Sequence, residues 1–257
     1  ANYATATYTS SGSENNAGGA QMLIYQTDLF TEIPSGHRDI FTGAGRDCDR
    51  WQLRLNGSTD AAGVVWVYSM HLKANNTESD ADQRLAGAIA IRNDADSLPA
   101  GSNIVYLGDY NVYSNGEDAY QEFLSSGAGR ANDPLGTGSW SGPDHAVVHT
   151  QSPLASSSGG LVGGGMDDRF DLQLVSDALF DADGFSLVAG TYRAFGNDGN
   201  HYNESINDGT NRYYPSNLAR SNALADALHA ASDHIPVLSD WRVPARMSCV
   251  LDQDLGR

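Results

Sequence analysis

Short apolar runs separated by turn-forming residues recur along this chain and predict a protein of mixed strands and helices. The strongest run, Val64–His71, is continuous in Val, Trp, Tyr and Met, as expected for a buried strand. The next run, Asn103–Asn111, begins with Ile, Val, Tyr and Leu and ends in polar residues. Weaker strand patterns lie at Tyr3–Thr9, Gln21–Gln26, Leu29–Ile33, Arg50–Leu55, Ala146–Thr150, Phe170–Val175 and Ile235–Trp241.

Helical spacing lies between these runs and after them. Ser79–Arg92 places Leu85, Ala88, Ile89 and Arg92 on one face, with acidic residues in its first turn. Glu117–Ser125 and Leu218–Ala230 predict two further helices. The remaining segments, 37–49, 127–165 and 181–216, are predicted as loops. Without a repeat or a linker, residues 1–242 are predicted to form a single α/β (α+β) domain, followed by a tail at 243–257.

Composition limits the choice of partners. The formal net charge is -17 and Lys73 is the only lysine, so the surface repels nucleic acid at low salt and disfavours it as a partner. No apolar run approaches the roughly 18 residues that a membrane helix needs, and no signal peptide is visible. The first residue is Ala rather than Met, which fits a processed, trimmed or incompletely represented chain. Cys48 and Cys249 predict either one long-range disulfide or two buried free thiols.

The end of the Asn103–Asn111 run carries candidate chemistry. Asp109 and Asn111 are two positions apart, so in extended geometry their side chains share a face. A carboxylate can bind a hard cation or hold a proton, and an amide can orient a phosphate or a water. The simpler interpretation is a strand that ends in an Asp/Asn turn.

Three further polar clusters also lie at predicted strand ends. They are Met70–Lys73, Asp167–Asp171 and Ser232–Pro236. Taken singly, an Asp-His pair or a terminal His is usually a cap or a turn. Four such clusters at strand ends favour a ligand site, because ligands gather at strand ends in layered α/β folds.

The combined string HLK…GDYN…RFDLQLVS…SDHIPV resembles the endonuclease/exonuclease/phosphatase superfamily, which includes deoxyribonuclease I. The order and approximate spacing of these motifs match the family pattern from about residue 20 to residue 241. The segment Gly196–Asn203 is similar to secreted bacterial members, so the resemblance implies a secreted, extracellular bacterial protein. It also implies a deoxyribonuclease I-like fold, a four-layer αββα sandwich of two packed mixed β-sheets.

The resemblance implies roles for individual residues. His234 would activate the attacking water, with its imidazole held by Asp171 or, as an alternative, Asp168. His71 would contact the phosphoryl oxygen or protonate the leaving oxygen. A Mg²⁺ or Mn²⁺ ion, with Ca²⁺ as a structural alternative, would neutralise charge on phosphorus. The full set is catalytic His71, Asp109, Asn111, Asp171 and His234, metal-binding Asp233 and Asp109, and substrate-binding Asn111 and Arg50.

The chain departs from the family pattern at its beginning. Family members start with a strand ending in Asn and a second strand ending in Gln-Glu, whose glutamate binds the metal. Neither is in this sequence, and Glu14 lies in a polar loop. We expect either a preceding segment or a partner chain to supply these strands and to cover the sheet edge left open.

Two functions follow from these patterns. The first is a metal-dependent phosphodiesterase or phosphatase that hydrolyses a phosphate ester in nucleic acid, a small molecule or a lipid. Lipid activity would favour an exposed aromatic hairpin, for which Trp140 and Tyr213-Tyr214 are the candidates. The second is a non-catalytic extracellular or assembly protein that keeps the fold without a working metal site.

Overall fold

The computed structural model describes residues 1–7, 21–180 and 184–243. The helices are α1 (Glu78–Asp96), α2 (Asp118–Leu124) and α3 (Leu218–Ala231). The strands are β1 (Tyr3–Thr5), β2 (Ile24–Gln26), β3 (Phe30–Glu32), β4 (Arg38–Ile40), β5 (Cys48–Leu55), β6 (Val64–His71), β7 (Asn103–Asp109), β8 (Ala131–Asn132), β9 (Asp171–Ser176), β10 (Ser186–Leu187), β11 (Arg193–Ala194), β12 (Val237–Leu238) and β13 (Trp241–Arg242).

A seven-stranded mixed sheet forms the centre of the fold. Its order is β3-β5-β6-β7-β9-β8, and β4 pairs with the other half of the β5 edge. The β6–β7 pair is parallel and is connected by α1, as a parallel connection requires. The other pairs in this sheet are antiparallel.

One face of this sheet packs against α1 and α2. Alternate residues of β6 and β7, such as Tyr68, Met70 and Tyr106, join Ile91 and Phe123 in one buried cluster. Since successive side chains of a strand point to opposite faces, the other residues of these strands face away from the helices.

The buried face of α1 differs from the predicted one. Of the predicted face, Ala88 and Arg92 are buried, whereas Ile89 is 41% exposed and Arg84, which lies outside the predicted set, is buried. The Arg92 guanidinium donates to the carbonyl oxygens of Glu122 and Phe123 at 2.8 and 2.7 Å. Arg84 likewise donates to backbone carbonyls and pairs with Glu117. Charged side chains can occupy core positions here because hydrogen-bond acceptors pair with them. A prediction from apolar spacing alone therefore misplaced part of the buried face of α1.

The opposite face of the central sheet packs against a second β-layer. Val65, Val67 and Val105 join Phe185 and Trp51 in a separate buried cluster. The second layer consists of three antiparallel pairs, β1–β2, β10–β13 and β11–β12. Beyond it, Ala225 of α3 packs with residues that include Ala194 and Ile235. The predicted α/β class and deoxyribonuclease I-like layering are confirmed, with the second sheet present as short pairs.

Several predicted elements are wrong in detail. Residues 146–150 were expected to be a strand, but Pro143–Val148 forms a 3-10 helix, which the proline favours at its start. The predicted loop at 37–49 contains β4, because β5 begins early enough to pair with it. The predicted strand Ile235–Trp241 is divided into β12 and β13, which pair with different strands.

Some predictions fall outside the described residues. These are the polar loop around Glu14, the tail beyond residue 243, and Cys249. Cys48 is fully buried in β5. Its pairing with Cys249 stays a prediction, as do the division at residue 242 and the covering of an open sheet edge. No helix in the described ranges combines the length and apolar character needed to cross a membrane.

A buried ion pair fixes the beginning of β9. Both Oδ atoms of Asp133 accept from the Arg169 guanidinium, at 2.7 and 3.0 Å. The Tyr120 hydroxyl donates to the same carboxylate at 2.9 Å, and the Trp140 ring lies 5.2 Å from the guanidinium carbon. The charge is therefore matched by two-pronged hydrogen bonding.

We expect Asp133→Ala to destabilise the protein by about 3–5 kcal/mol, because it leaves a buried guanidinium without its partner. Urea unfolding followed by circular dichroism measures the change. Asp144→Ala is the control, since Asp144 is exposed and such substitutions usually change stability by less than about 0.5 kcal/mol. Equal stability of the two variants would contradict the importance of this pair.

Candidate active site

Three neighbouring strands end in polar residues at the same level of the sheet. His71 of β6 is the register partner of Asp109 of β7, and Asp109 is the register partner of Asp171 of β9. All three side chains therefore project from one face, the face that packs against the second β-layer. Strand register thus brings together residues that are far apart in sequence.

Gly108 allows β6 and β7 to approach at this point. Its φ is +130°, and a Cβ atom there would lie 2.0 Å from the carbonyl oxygen of Met70. Only glycine fits both the backbone conformation and the contact. The glycine of the predicted GDYN motif therefore has a structural role in placing Asp109.

Asp109 is the centre of the cluster. Its Oδ1 accepts from the backbone N–H of Asn111, and its Oδ2 accepts from the Asn111 side-chain amide, both at 2.9 Å. Its Oδ2 also lies 3.3 Å from Nε2 of His71 and 3.9 Å from Nε2 of His234. One carboxylate oxygen therefore faces two imidazoles.

His234 reaches the cluster from the segment between α3 and β12. Its Nδ1 lies 2.7 Å from Oδ2 of Asp171, the pairing that the motif predicted in preference to Asp168. This hydrogen bond orients the ring and favours a proton on Nδ1. Nε2 then lies 3.9 Å from Oδ2 of Asp109.

Gln151 contacts the other nitrogen of His234. Its side-chain Nε2 lies 2.8 Å from His234 Nε2, and its backbone pairs with both Asp168 and His234. The preceding Thr150 accepts from the backbone N–H of Asp171 through its Oγ1, at 3.1 Å. Residues 150–151 thus contact both His234 and Asp171. Sequence reasoning missed them because no spacing or motif distinguishes them.

The charges in the cluster are strongly coupled. Burial, followed by the nearby charge of Asp171, raises the pKa of Asp109 to about 7. Burial alone would lower the pKa of His234, but its hydrogen bond to Asp171 and the charges of Asp171, Asp109 and Asp233 outweigh this and raise it to about 9. The free protein at neutral pH therefore holds His234 mostly as imidazolium.

Arg46, rather than Arg50, is the arginine at the cluster. The positive charge of Arg46 interacts with Asp109, and its guanidinium donates to the carbonyl oxygen of Leu72 at 2.5 Å. Arg50 lies in β5 with its guanidinium 2.6 Å from Asp94 of α1, on the helix side of the sheet. The predicted substrate contact by Arg50 is therefore corrected.

The predicted metal residues do not assemble into a ligand set. Oδ2 of Asp233 accepts from the backbone N–H of Val162 at 2.9 Å, and both oxygens of Asp109 already accept from Asn111. Within the described ranges, the one group of three or more His, Cys, Asp or Glu side chains that could hold a cation lies elsewhere. The described part of the cluster is thus incomplete as a Mg²⁺ site, which prefers six oxygen ligands.

Two predicted accessory features are structural. In the Gly196–Asn203 segment, Nδ1 of His201 contacts Asp198 at 2.9 Å and Nε2 contacts the carbonyl oxygen of Asp208 at 2.8 Å, so both ring nitrogens are satisfied within the loop. Trp140 is only 4% exposed and packs edge-on against Tyr120. It does not form an exposed lipid-binding hairpin.

The pKa of His234 has a consequence for stability. Its folded pKa of about 9 lies above its ordinary value of 6.5, so the stabilisation is complete below pH 6.5 and is lost as the pH rises through 9. We expect wild type to lose up to about 3 kcal/mol relative to His234→Asn over this window. Urea unfolding in chelator across the pH range measures the difference, and parallel profiles would contradict the shift.

The fold was compared with known proteins. No family model matches this chain, and no curated protein matches it. Among solved structures, an endonuclease/exonuclease/phosphatase from Bacteroides vulgatus superposes with a TM-score of 0.56 at 12% sequence identity, covering 94% of this chain and 77% of that chain. TDP2 of D. rerio, complexed with single strand DNA product, gives 0.54 at 11% identity with the same coverage. A Bacteroides thetaiotaomicron mannosyl-6-phosphatase gives 0.52 at 15% identity, covering 93% and 77%. The chain therefore has the deoxyribonuclease I-like fold of the endonuclease/exonuclease/phosphatase proteins.

Proposed function

We propose that this protein hydrolyses phosphate esters at the cluster around Asp109. The observation that carries the proposal is the His234–Asp171 pair, 2.7 Å long, whose second imidazole nitrogen lies 3.9 Å from Oδ2 of the half-buried Asp109. A histidine oriented by a carboxylate is a general base for water. The solved structures with this fold include a phosphatase and a protein complexed with single strand DNA product, which supports phosphoester chemistry in general.

In the proposed reaction, the water oxygen bonds to phosphorus as the bond from phosphorus to the leaving oxygen breaks. The water proton passes to Nε2 of His234, and Asp171 stabilises the imidazolium that forms. Because Gln151 Nε2 lies 2.8 Å from that nitrogen, the amide must turn aside or share the position with the water. His234 must be neutral to act, so we expect activity to rise on the alkaline side of neutrality.

The leaving oxygen needs a proton, and two groups are placed to provide it. Asp109 has a pKa of about 7, so a fraction of it is protonated near neutral pH. His71 lies 3.3 Å from Asp109 and is the second candidate donor. The Arg46 guanidinium then offers positive charge to the negative phosphoryl oxygens. The Asn111 amide donates to the carbonyl oxygen of Leu72 and to Oδ2 of Asp109, so it orients the carboxylate and would reach the phosphate only after giving up one of these bonds.

A divalent cation is a separate part of the proposal. Mg²⁺ or Mn²⁺ would supply charge neutralisation at phosphorus, and Ca²⁺ is the structural alternative. Asp109 and Asp233 remain the residues proposed for it. The described cluster does not complete a ligand set, so no step of the reaction above is routed through the ion.

The charge of the molecule favours small substrates. With a net charge of -17 and one lysine, the surface repels a polyanion such as DNA. A small phosphate ester carries far fewer negative charges and is therefore repelled less. We therefore propose a phosphorylated small molecule ahead of nucleic acid. Secretion by a bacterium stays part of the proposal and agrees with the acidic surface.

We expect His234→Ala to lower kcat for bis-p-nitrophenyl phosphate by about 10²–10⁴-fold, because a positioned general base contributes about that much. Asp171→Asn should lower it in the same range and shift the pH profile, since it removes the charge that raises the His234 pKa. His145→Ala is the matched control, because His145 is exposed. Assays run with Mg²⁺, Mn²⁺ and chelator, on the diester, p-nitrophenyl phosphate and plasmid DNA. No turnover by wild type on any substrate would favour the non-catalytic scaffold.

Arg46→Ala tests the corrected arginine. We expect kcat/KM to fall by about tenfold to a hundredfold, as for loss of one charged contact of roughly 1.5–3 kcal/mol. The pKa of Asp109 should also rise, because Arg46 lowers it. Steady-state kinetics across pH measure both effects. An unchanged kcat/KM with a normal fold would remove Arg46 from the site.

A further inference from the structure

We propose that His37, Asp39 and Asp49 form a binding site for a divalent transition-metal ion, separate from the cluster around Asp109. Each residue offers one ligand atom, and these atoms all lie within 4.8 Å of one another. Nε2 of His37 lies 3.5 Å from Oδ1 of Asp39 and 3.7 Å from Oδ1 of Asp49. Asp39 lies in β4, Asp49 lies in β5, and His37 directly precedes β4.

Nε2 of His37 has no hydrogen-bond partner among the described residues. The His37 side chain is 9% exposed, and its Nε2 is a buried atom that no described donor or acceptor meets in hydrogen-bonding geometry. Buried polar atoms are almost always satisfied, so an exception needs an explanation. Distances of 3.5 and 3.7 Å are too long for a hydrogen bond. They suit two ligands of one ion, since ligand bonds of about 2.1 Å in a tetrahedron separate the ligand atoms by about 3.4 Å.

The two carboxylates are held together by the sheet. Asp39 and Asp49 are direct cross-strand partners in the β4–β5 pair, and like charges placed opposite each other are destabilising. A cation between the carboxylates removes this repulsion.

The geometry also orients the ligands. Oδ2 of Asp49 accepts from the backbone N–H of Gln21 at 3.2 Å, which leaves Oδ1 for the ion. Such outer contacts fix the direction of a ligand. Asp39 is 40% exposed and provides access from solvent. One imidazole and two carboxylates suit Zn²⁺ or Mn²⁺ better than Mg²⁺ or Ca²⁺, which prefer oxygen ligands alone.

The site lies beside the catalytic cluster without sharing residues with it. Asp49 is the register partner of Ser69, which is two positions before His71 in β6. The two sites therefore lie on the same face of the sheet, with Ser69 and His71 about 7 Å apart along the strand. We assign the ion the task of fastening β4 to β5, at the edge of the central sheet.

Calorimetric titration of the chelator-stripped full chain with Zn²⁺ tests the proposal. The titration uses an Asp109→Asn background, so that binding at the catalytic cluster does not obscure the result. We expect one Zn²⁺ per chain, and adding His37→Ala should weaken its binding by more than about 100-fold, because loss of an outer partner alone costs about 10–100-fold. His145→Ala in the same background is the control and should bind as before.

A second measurement distinguishes loss of the metal site from misfolding of a variant. Zn²⁺ should raise the Tm of the background protein, and the more exposed substitution Asp39→Asn should remove most of that rise while circular dichroism stays unchanged. Absence of Zn²⁺ binding, or binding by His37→Ala equal to the background, overturns the site. Neither result depends on phosphoesterase activity, so failure here is distinct from failure of the proposed function.

Discussion

The register of three strands is the constraint on which the candidate site depends. A strand displaced by one residue turns every side chain to the other face of the sheet. The parallel pairing of β6 with β7 and the antiparallel pairing of β7 with β9 align His71, Asp109 and Asp171 in one row. The apolar residues below that row lock the alignment, because Val65, Val67, Val105 and Val175 must all face the same buried layer.

The aligned row creates an electrostatic problem that the neighbouring residues solve. Asp109 and Asp171 lie opposite each other, and two carboxylates so placed repel. A positive charge on His234 offsets part of this repulsion, because His234 pairs with Asp171 and also lies near Asp109. The raised pKa values of Asp109 and His234 express this sharing. The protons held in the cluster are therefore shared, and their positions depend on Asp109, Asp171 and His234 together.

Much of this arrangement could be predicted from sequence, because strand-end motifs carry local information. The GDYN and SDHIPV strings gave Asp109, Asn111 and His234, and the phase of RFD favoured Asp171 over Asp168. The prediction for Arg50 was wrong because the side chain points towards the helices from its position in β5. Only the pairing of β5 with β6 shows this direction. Gln151, Arg46 and the His37 group escaped detection since their contacts arise from tertiary pairing of segments without periodicity. The predicted face of α1 was wrong in part for a related reason, because Arg84 is buried with backbone carbonyls of other segments as its acceptors.

The separation of Asp171 and His234 along the chain has a consequence for biosynthesis. The two residues are 63 positions apart, and the later one follows nearly all of the described fold. During translation, every strand of the central sheet is therefore synthesised before His234, whereas β12 and β13 of the second layer are synthesised after it.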